Sequence, residues 1–166
     1  MSRPSNIDLV DNAGVIPVLK SLLDPVLAML KKSFPISKAE LDGLYNVGVK
    51  LYQLGKWEEA SRFFAAVIVV DPLNPVYLSA QGKCLKMMND FDGAYQVFHL
   101  AWELDKQAPV IALHAAEALM LADRKREAAM LLQQVLDHAY VPAMDTRLRE
   151  KAEAWSCLLA RGTVHE

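Results

Sequence analysis

The stretch Gly48–Phe64, GVKLYQLGKWEEASRFF, returns twice in outline further along the chain, each time after a step of 34 residues. Four columns of residues keep this step: Gly48, Gly82 and Ala116; Leu51, Leu85 and Leu119; Ala60, Ala94 and Ala128; and Phe64, Phe98 and Leu132. A fixed period of this length is typical of stacked helical hairpins. Such arrays rarely carry out chemistry and usually present a concave surface to a peptide. The period therefore predicts an all-α fold and favours a binding function.

The composition is that of one folded domain. Of the 166 residues, 53% are hydrophobic and 23% are charged. This is enough apolar material for a single core, and too much for a disordered chain. The net charge is −2, whereas a nucleic-acid-binding domain would need a basic face. We therefore expect no nucleic-acid partner.

The N-terminal region lacks the form of a signal peptide, because two prolines and two charged residues interrupt the apolar stretch 15–30. No run approaches the roughly 18 apolar residues that a membrane-spanning helix needs. Cys84 and Cys157 lie far apart and form no metal or redox spacing, so we expect small buried or half-buried side chains in a reducing compartment. The chain is predicted to be cytoplasmic, without direct membrane insertion.

The first 36 residues divide into a tail and a helical segment. Residues 1–14 are polar and without a period, and we expect a mobile tail. Residues 15–36 carry apolar side chains at helical spacing, namely Val18, Leu19, Leu22, Leu23, Val26, Leu27 and Leu30. Pro25 leaves two alternatives open, one helix or two short helices at 15–23 and 25–33. The apolar stripe either caps the first repeat or mates with a second copy of the chain.

Capping and turn residues divide the remainder. Ser37 and Glu40 form a capping box ahead of the first hairpin. The predicted helices lie at 38–54 and 57–70, at 75–88 and 91–105, and at 109–122 and 125–138. They make three repeats within 37–142, at about 41–74, 75–108 and 109–142. A last helix near 143–160, within the segment 143–161, has one apolar and one charged side, as the end cap of an array requires.

The columns have a packing reason and a family resemblance. We expect the small residue at Gly48, Gly82 or Ala116 to let the two helices of a hairpin approach closely, and Phe64 or Phe98 to fill the space toward the next hairpin. The pattern resembles the tetratricopeptide repeat. The matches in the first repeat are Leu44, Val47, Gly48, Leu51, Ala60, Phe64, Val67 and Pro72; in the second Leu78, Gly82, Leu85, Ala94, Phe98 and Ala101; in the third Ala115, Ala116, Leu119, Ala128 and Leu132. The resemblance implies three hairpins in a right-handed superhelix.

A sharper resemblance rests on order, length and two local stretches. Leu44–Ala60 and His114–Leu119, together with a leader helix, three repeats and one terminal helix, look like the class II translocator chaperones of bacterial type III secretion, the SycD/LcrH/IpgC group. This resemblance implies a cytoplasmic chaperone that keeps a hydrophobic translocator protein soluble and competent for secretion. It also implies homodimers through the leader region, no cofactor, and in some members a transcriptional activator as a further partner.

Side chains at the second, fifth, ninth and twelfth positions of each first helix are expected to line the concave side. The predicted peptide-binding residues are Tyr45, Val49, Tyr52, Val76, Ser79, Lys83, Lys86, Leu113, Glu117 and Met120. Tyrosine offers broad contact area with few rotatable bonds, and methionine adapts to varied apolar partners. Lys83 and Lys86 could grip peptide carbonyls or acidic side chains. In the alternative interpretation, Val49 and Met120 are core residues and the lysines are simply solvated.

Nothing in the sequence indicates catalysis. The four histidines lack metal-ligand spacing, and His114 with Glu117 is expected to be a structural pair on one helix. No glycine-rich phosphate loop is present. We therefore expect no enzyme and no metal site. A scaffold or regulatory adaptor that binds a soluble partner with the same groove is the alternative function.

Overall fold

The computed structural model describes residues 15–33, 36–138 and 146–162. Its helices are α1 (Val15–Ser33), α2 (Lys38–Gln53), α3 (Trp57–Val70), α4 (Pro75–Met87), α5 (Phe91–Leu104), α6 (Pro109–Leu121), α7 (Lys125–His138) and α8 (Thr146–Gly162). Within these ranges the chain contains no strand. The predicted all-α fold is confirmed, and its helix boundaries fall close to those expected. The predicted tail at 1–14 and the junction at 139–145 lie outside the described residues.

The chain forms two compact units, Met1–Pro35 and Ile36–Glu166. In the first, α1 is one continuous helix with Pro25 inside it, so the alternative of two short helices is wrong. Pro25 cannot donate the backbone hydrogen bond that other interior residues make. Three of the predicted dimerisation residues are exposed, Val18 by 56%, Leu22 by 65% and Val26 by 54%. Leu23 and Leu27 are half-buried, and the side chains of Leu19 and Leu30 lie outside the described set.

Local chemistry sets the hairpin boundaries. The predicted capping box is present: Glu40 N–H donates to the Ser37 hydroxyl oxygen, and the Glu40 carboxylate accepts from Ser37 N–H at 2.8 Å. The turns inside the three hairpins pass through Gly55, Asn89 and Asp123, with φ of 76°, 63° and 59°. Glycine, asparagine and aspartate are the residues that tolerate this left-handed conformation best. These turns repeat with the same 34-residue step as the packing columns.

Each glycine of the small-residue column receives a phenylalanine ring from the second helix of its own hairpin. A β-carbon on Gly48 would lie 2.7 Å from Cε1 of Phe64. Close approach of the two helices thus occurs as predicted, but the ring fills space inside the hairpin. The expectation that the ring serves the next hairpin is met in addition at Phe98, which stacks on His114 with centroids 5.4 Å apart.

The core of Ile36–Glu166 consists of two clusters of buried side chains. A small cluster joins the first two hairpins through Ala60, Phe64, Ala80 and Cys84. A larger cluster runs through α4 to α8 and includes Ala152 and Leu159. Apart from these two residues, most side chains over 146–160 of α8 are exposed, including every charged one in that range. It therefore closes the apolar end of the array with a polar outer side.

Candidate peptide-binding surface

The first helices of the hairpins, α2, α4 and α6, contact one another directly across the repeats. The rings of Tyr45 on α2 and Tyr77 on α4 have centroids 5.4 Å apart. Lys86 on α4 donates to Glu117 on α6, with Nζ 2.8 Å from Oε2. We call the side of these helices that carries Tyr45, Tyr52, Ser79, Lys86 and Glu117 the first-helix surface. The predicted binding residues therefore come from helices that are neighbours in space.

One part of this surface is aromatic. Tyr45 is half-buried, and its ring also lies 5.6 Å from that of Phe64. Val49 and Tyr52 pack against the small core cluster and remain partly exposed. Burial raises the pKa of Tyr52, and the nearby Cys84 and Glu117 add to the shift. These side chains offer apolar area on rings that the core already holds in place, which lowers the entropy lost when a ligand binds.

The other part of the surface is charged. The side chains of Lys86 and Glu117 are 14% and 31% exposed. His114 lies beside this pair, with Nδ1 3.5 Å from Oε2 of Glu117, and this buried nitrogen has no hydrogen-bond partner among the described residues. Burial raises the pKa of Glu117, but the hydrogen bond and charge of Lys86, with smaller contributions from His114 and Lys151, leave that pKa below its ordinary value. The carboxylate is therefore ionised at neutral pH.

The remaining predicted binding residues differ in accessibility. Val76 is 54% exposed, while Ser79, Lys83 and Met120 are half-buried. Leu113 is only 2% exposed and belongs to the core, so including it among the surface residues was wrong. Met120 and Val49 do pack on the core clusters, but each keeps part of its side chain accessible.

Two further residues, Tyr77 and Lys151, lie next to the predicted binding residues. Tyr77 is 7% exposed, and its ring packs against that of Tyr45 with centroids 5.4 Å apart. Lys151 comes from α8, outside the repeats, and no repeat column could indicate that it would act on Glu117. Its position is set by the packing of α8, chiefly against α7 and to a lesser extent against α6.

The thiols and the remaining polar groups show no arrangement for chemistry. Burial raises the pKa of the Cys84 thiol to about 11, so it keeps its proton at neutral pH. Cys157 is exposed, contrary to the expectation that both cysteines would be buried or half-buried. Within the part of the chain that the structure describes, no cluster of side chains has the make-up of a metal site. In the same ranges no helix has the length and apolar character to cross a membrane.

Comparison with known proteins gives relatives in sequence and in fold. No family model matches the chain. The low calcium response locus protein H of Yersinia pestis is 28% identical over 132 residues, which cover 77% of this chain and 77% of that protein.

Solved structures share the fold over most of its length. A type III secretion complex from Aeromonas hydrophila has a TM-score of 0.78 at 24% identity and covers 90% of this chain and 99% of its own. The Yersinia enterocolitica type III secretion chaperone SycD, in complex with a peptide of the translocator YopD, has a TM-score of 0.70 at 24% identity, with 76% and 97% covered. SycD has also been solved as an alternative dimer. Sequence and fold together confirm the predicted resemblance of this chain to the translocator chaperones of type III secretion.

Proposed function

We propose that the chain is a type III secretion chaperone that holds an extended segment of a hydrophobic translocator protein on its first-helix surface. The observation that carries the proposal is that Tyr45 and Tyr52 on α2 and Val76 on α4, two first helices in contact, all keep accessible apolar surface. The similarity to SycD, which has been solved with a translocator peptide, supports the same use of this side.

The physical logic is the shielding of apolar surface. A translocator that inserts into a membrane carries apolar segments that aggregate in water. A groove with anchored rings covers such a segment without chemistry, and the proposal assigns no reaction and no cofactor to the chain. Since the cargo must be held before export, the proposed location is the bacterial cytoplasm.

We also propose that α1 pairs two copies of the chain. Val18, Leu22 and Val26 present exposed apolar side chains along one side of this helix, and SycD forms dimers. An aspartate at Leu22 would place a charge in such an interface. Light scattering of Leu22→Asp is expected to give half the mass of the wild-type particle. An unchanged mass would place the interface elsewhere.

The central test is co-expression with the translocator of the same host. The wild-type chain is expected to raise the soluble yield of the translocator and to copurify with it. A scaffold or adaptor for soluble partners would leave that yield unchanged.

A matched pair of variants tests the location of the site. Val76 on α4 and Val69 on α3 are both exposed, by 54% and 68%, but Val69 lies on a second helix. Val76→Asp is expected to reduce copurification of the translocator, whereas Val69→Asp leaves it intact. Both variants should unfold within about 1 kcal/mol of the wild type, because neither position is buried. Equal retention of cargo by both would contradict the proposed surface.

A further inference from the structure

The charges near the first-helix surface are segregated along the array. Asp42 on α2 lies toward the aromatic end, where it is among the groups that raise the pKa of Tyr77 after burial itself. Toward the other end, Lys83 and Lys86 on α4 lie near His114, and Lys86 together with Lys151 on α8 lies near the carboxylate of Glu117. Three lysines therefore lie around the neighbouring pair of His114 and Glu117, whose only carboxylate is that of Glu117, so this part of the surface is positively charged.

The lysines are unequally neutralised. Lys86 is paired with Glu117 at 2.8 Å, whereas Lys83 has no carboxylate within ion-pair distance among the described residues. His114 does not neutralise the lysines, because its imidazole carries no negative charge. Burial lowers its pKa, Lys86 and Lys83 lower it further, and Glu117 opposes them only in part, so the ring is neutral at neutral pH. A half-buried lysine without a partner beside a neutral ring is a place where an added carboxylate is stabilised.

The Lys86–Glu117 pair is also open to exchange. Both side chains keep part of their surface accessible, at 14% and 31%. Tyr52 of the aromatic part is near enough to Glu117 for that carboxylate to raise its pKa, after the effects of burial and Cys84. A peptide that covers Tyr52 therefore reaches the lysines within a few residues.

From this arrangement we propose that the segment recognised carries an acidic side chain next to its apolar residues, and that this carboxylate pairs with Lys83 and shares Lys86 with Glu117. Glu117 then acts as an internal substitute that keeps Lys86 in place when no cargo is bound. Lys151 extends the positive field, so that α8 belongs to the binding site as well as closing the array. This inference rests on the proposed chaperone function and defines the chemical class of segment it takes.

The test uses short overlapping peptides of the copurified translocator, each made with its native sequence and with every Asp and Glu replaced by Asn or Gln. Fluorescence anisotropy with the full chain is expected to show that the native form of the bound peptide is tighter by about tenfold, as for a partly buried charged hydrogen bond. Added salt should reduce this difference.

Lys83→Met is the decisive variant, because Lys83 has no ion-pair partner whose loss would disturb the fold. It is expected to bring the two forms of the peptide to similar affinity, and Glu117→Gln is expected to strengthen binding of the native form. Lys125→Met on α7 serves as the control and should keep the tenfold difference, about as in the wild type.

The outcomes separate this inference from the function on which it rests. Equal binding of native and neutralised peptides, or a difference that survives Lys83→Met, would overturn the acidic-segment inference while the chaperone function stands. If no peptide of the translocator binds, the proposed function falls and this inference falls with it.

Discussion

Gly82 and Phe98 form a fitted pair inside the second hairpin. A β-carbon on Gly82 would lie 2.8 Å from Cε1 of the Phe98 ring, closer than side chains pack. In the third hairpin the same two columns hold Ala116 and Leu132, so the glycine is replaced by a larger residue and the phenylalanine by a smaller one. The two columns therefore vary together, as volume conservation in a packed core requires.

The first prediction tests this pairing. Gly82→Ala is expected to lower the free energy of unfolding by about 1–3 kcal/mol, because the buried ring must shift. Gly82→Ala combined with Phe98→Leu should be less destabilised than the sum of the single changes, as measured by urea unfolding in a double-mutant cycle. Gly43→Ala is the control: its β-carbon meets nothing within 4 Å. That substitution should stabilise α2 by up to about 1 kcal/mol. Strictly additive effects at Gly82 and Phe98 would contradict the pairing.

The second prediction concerns the left-handed turns. Gly55→Ala is expected to destabilise the first hairpin by about 1–2 kcal/mol, since φ is 76° there and a β-carbon strains that conformation. Asn89→Gly should have the opposite sign and stabilise by up to about 1 kcal/mol. Thermal unfolding of the two variants provides the comparison. A stabilised Gly55→Ala variant would mean that the turn adopts another conformation.

The third prediction is a pH dependence. Burial, followed by Lys86 and Lys83, lowers the pKa of His114 below the ordinary 6.5 in the folded chain. The unfolded chain then binds more protons in the window below 6.5, so stability is complete above that pH and falls as the pH drops toward the folded-state pKa. His114→Gln is expected to show a smaller loss of stability than the wild type between about pH 7.5 and about pH 5.5.

His99 provides an internal comparison for this effect. Burial lowers its pKa as well, with Lys106 adding to the shift and Glu103 opposing it. The stability of the double variant His99→Gln with His114→Gln should therefore change even less over the same pH range. A wild-type protein that gains stability on acidification through this window would contradict both assignments.

The fourth prediction concerns Arg124, which joins the second and third hairpins. Its guanidinium lies 2.7 Å from Asp92, 2.6 Å from Glu127 and 4.8 Å from the centre of the Tyr95 ring. Arg124→Lys cannot reproduce this forked and stacked geometry and is expected to cost about 1 kcal/mol. Arg126→Lys, at an exposed position in the first turn of α7, should cost less than about 0.5 kcal/mol. Equal effects in chemical unfolding would show that the fork contributes nothing particular.

The hairpins could be predicted from sequence because their boundaries are local. Helix starts and turns are determined by residues a few positions apart, as at the Ser37 cap, the Asn74-Pro75 helix start and the Gly55 turn. The columns then determine which sides meet, and the predicted boundaries of the hairpin helices differ from the observed ones by about one residue.

The predictions that are wrong concern residues whose burial depends on their position in the whole array. Leu113 occupies the same column as Tyr45, but α6 is apolar on nearly every side and lies buried between α5, α7 and α8. The run PVIALHAAEALML contained that signal, because a helix without a polar face is expected to be buried all round. The expectation that Cys157 is buried or half-buried is wrong for the opposite reason: α8 is the last helix of the array, and this side chain is exposed. Lys151 reaches the candidate site only through the packing of α8, which no repeat pattern encodes.

Within Ile36–Glu166, helices touch chiefly those next to them in the chain, and only a few direct contacts bridge alternate helices. A translocator segment bound across α2, α4 and α6 would connect three helices that otherwise contact one another mostly through the helices between them. The empty protein should then fray from its extremities and yield to proteases there, whereas the occupied protein should melt as one piece. Binding would thus make both the translocator segment and the chaperone more rigid, and release of the segment would leave the chaperone less cooperatively folded.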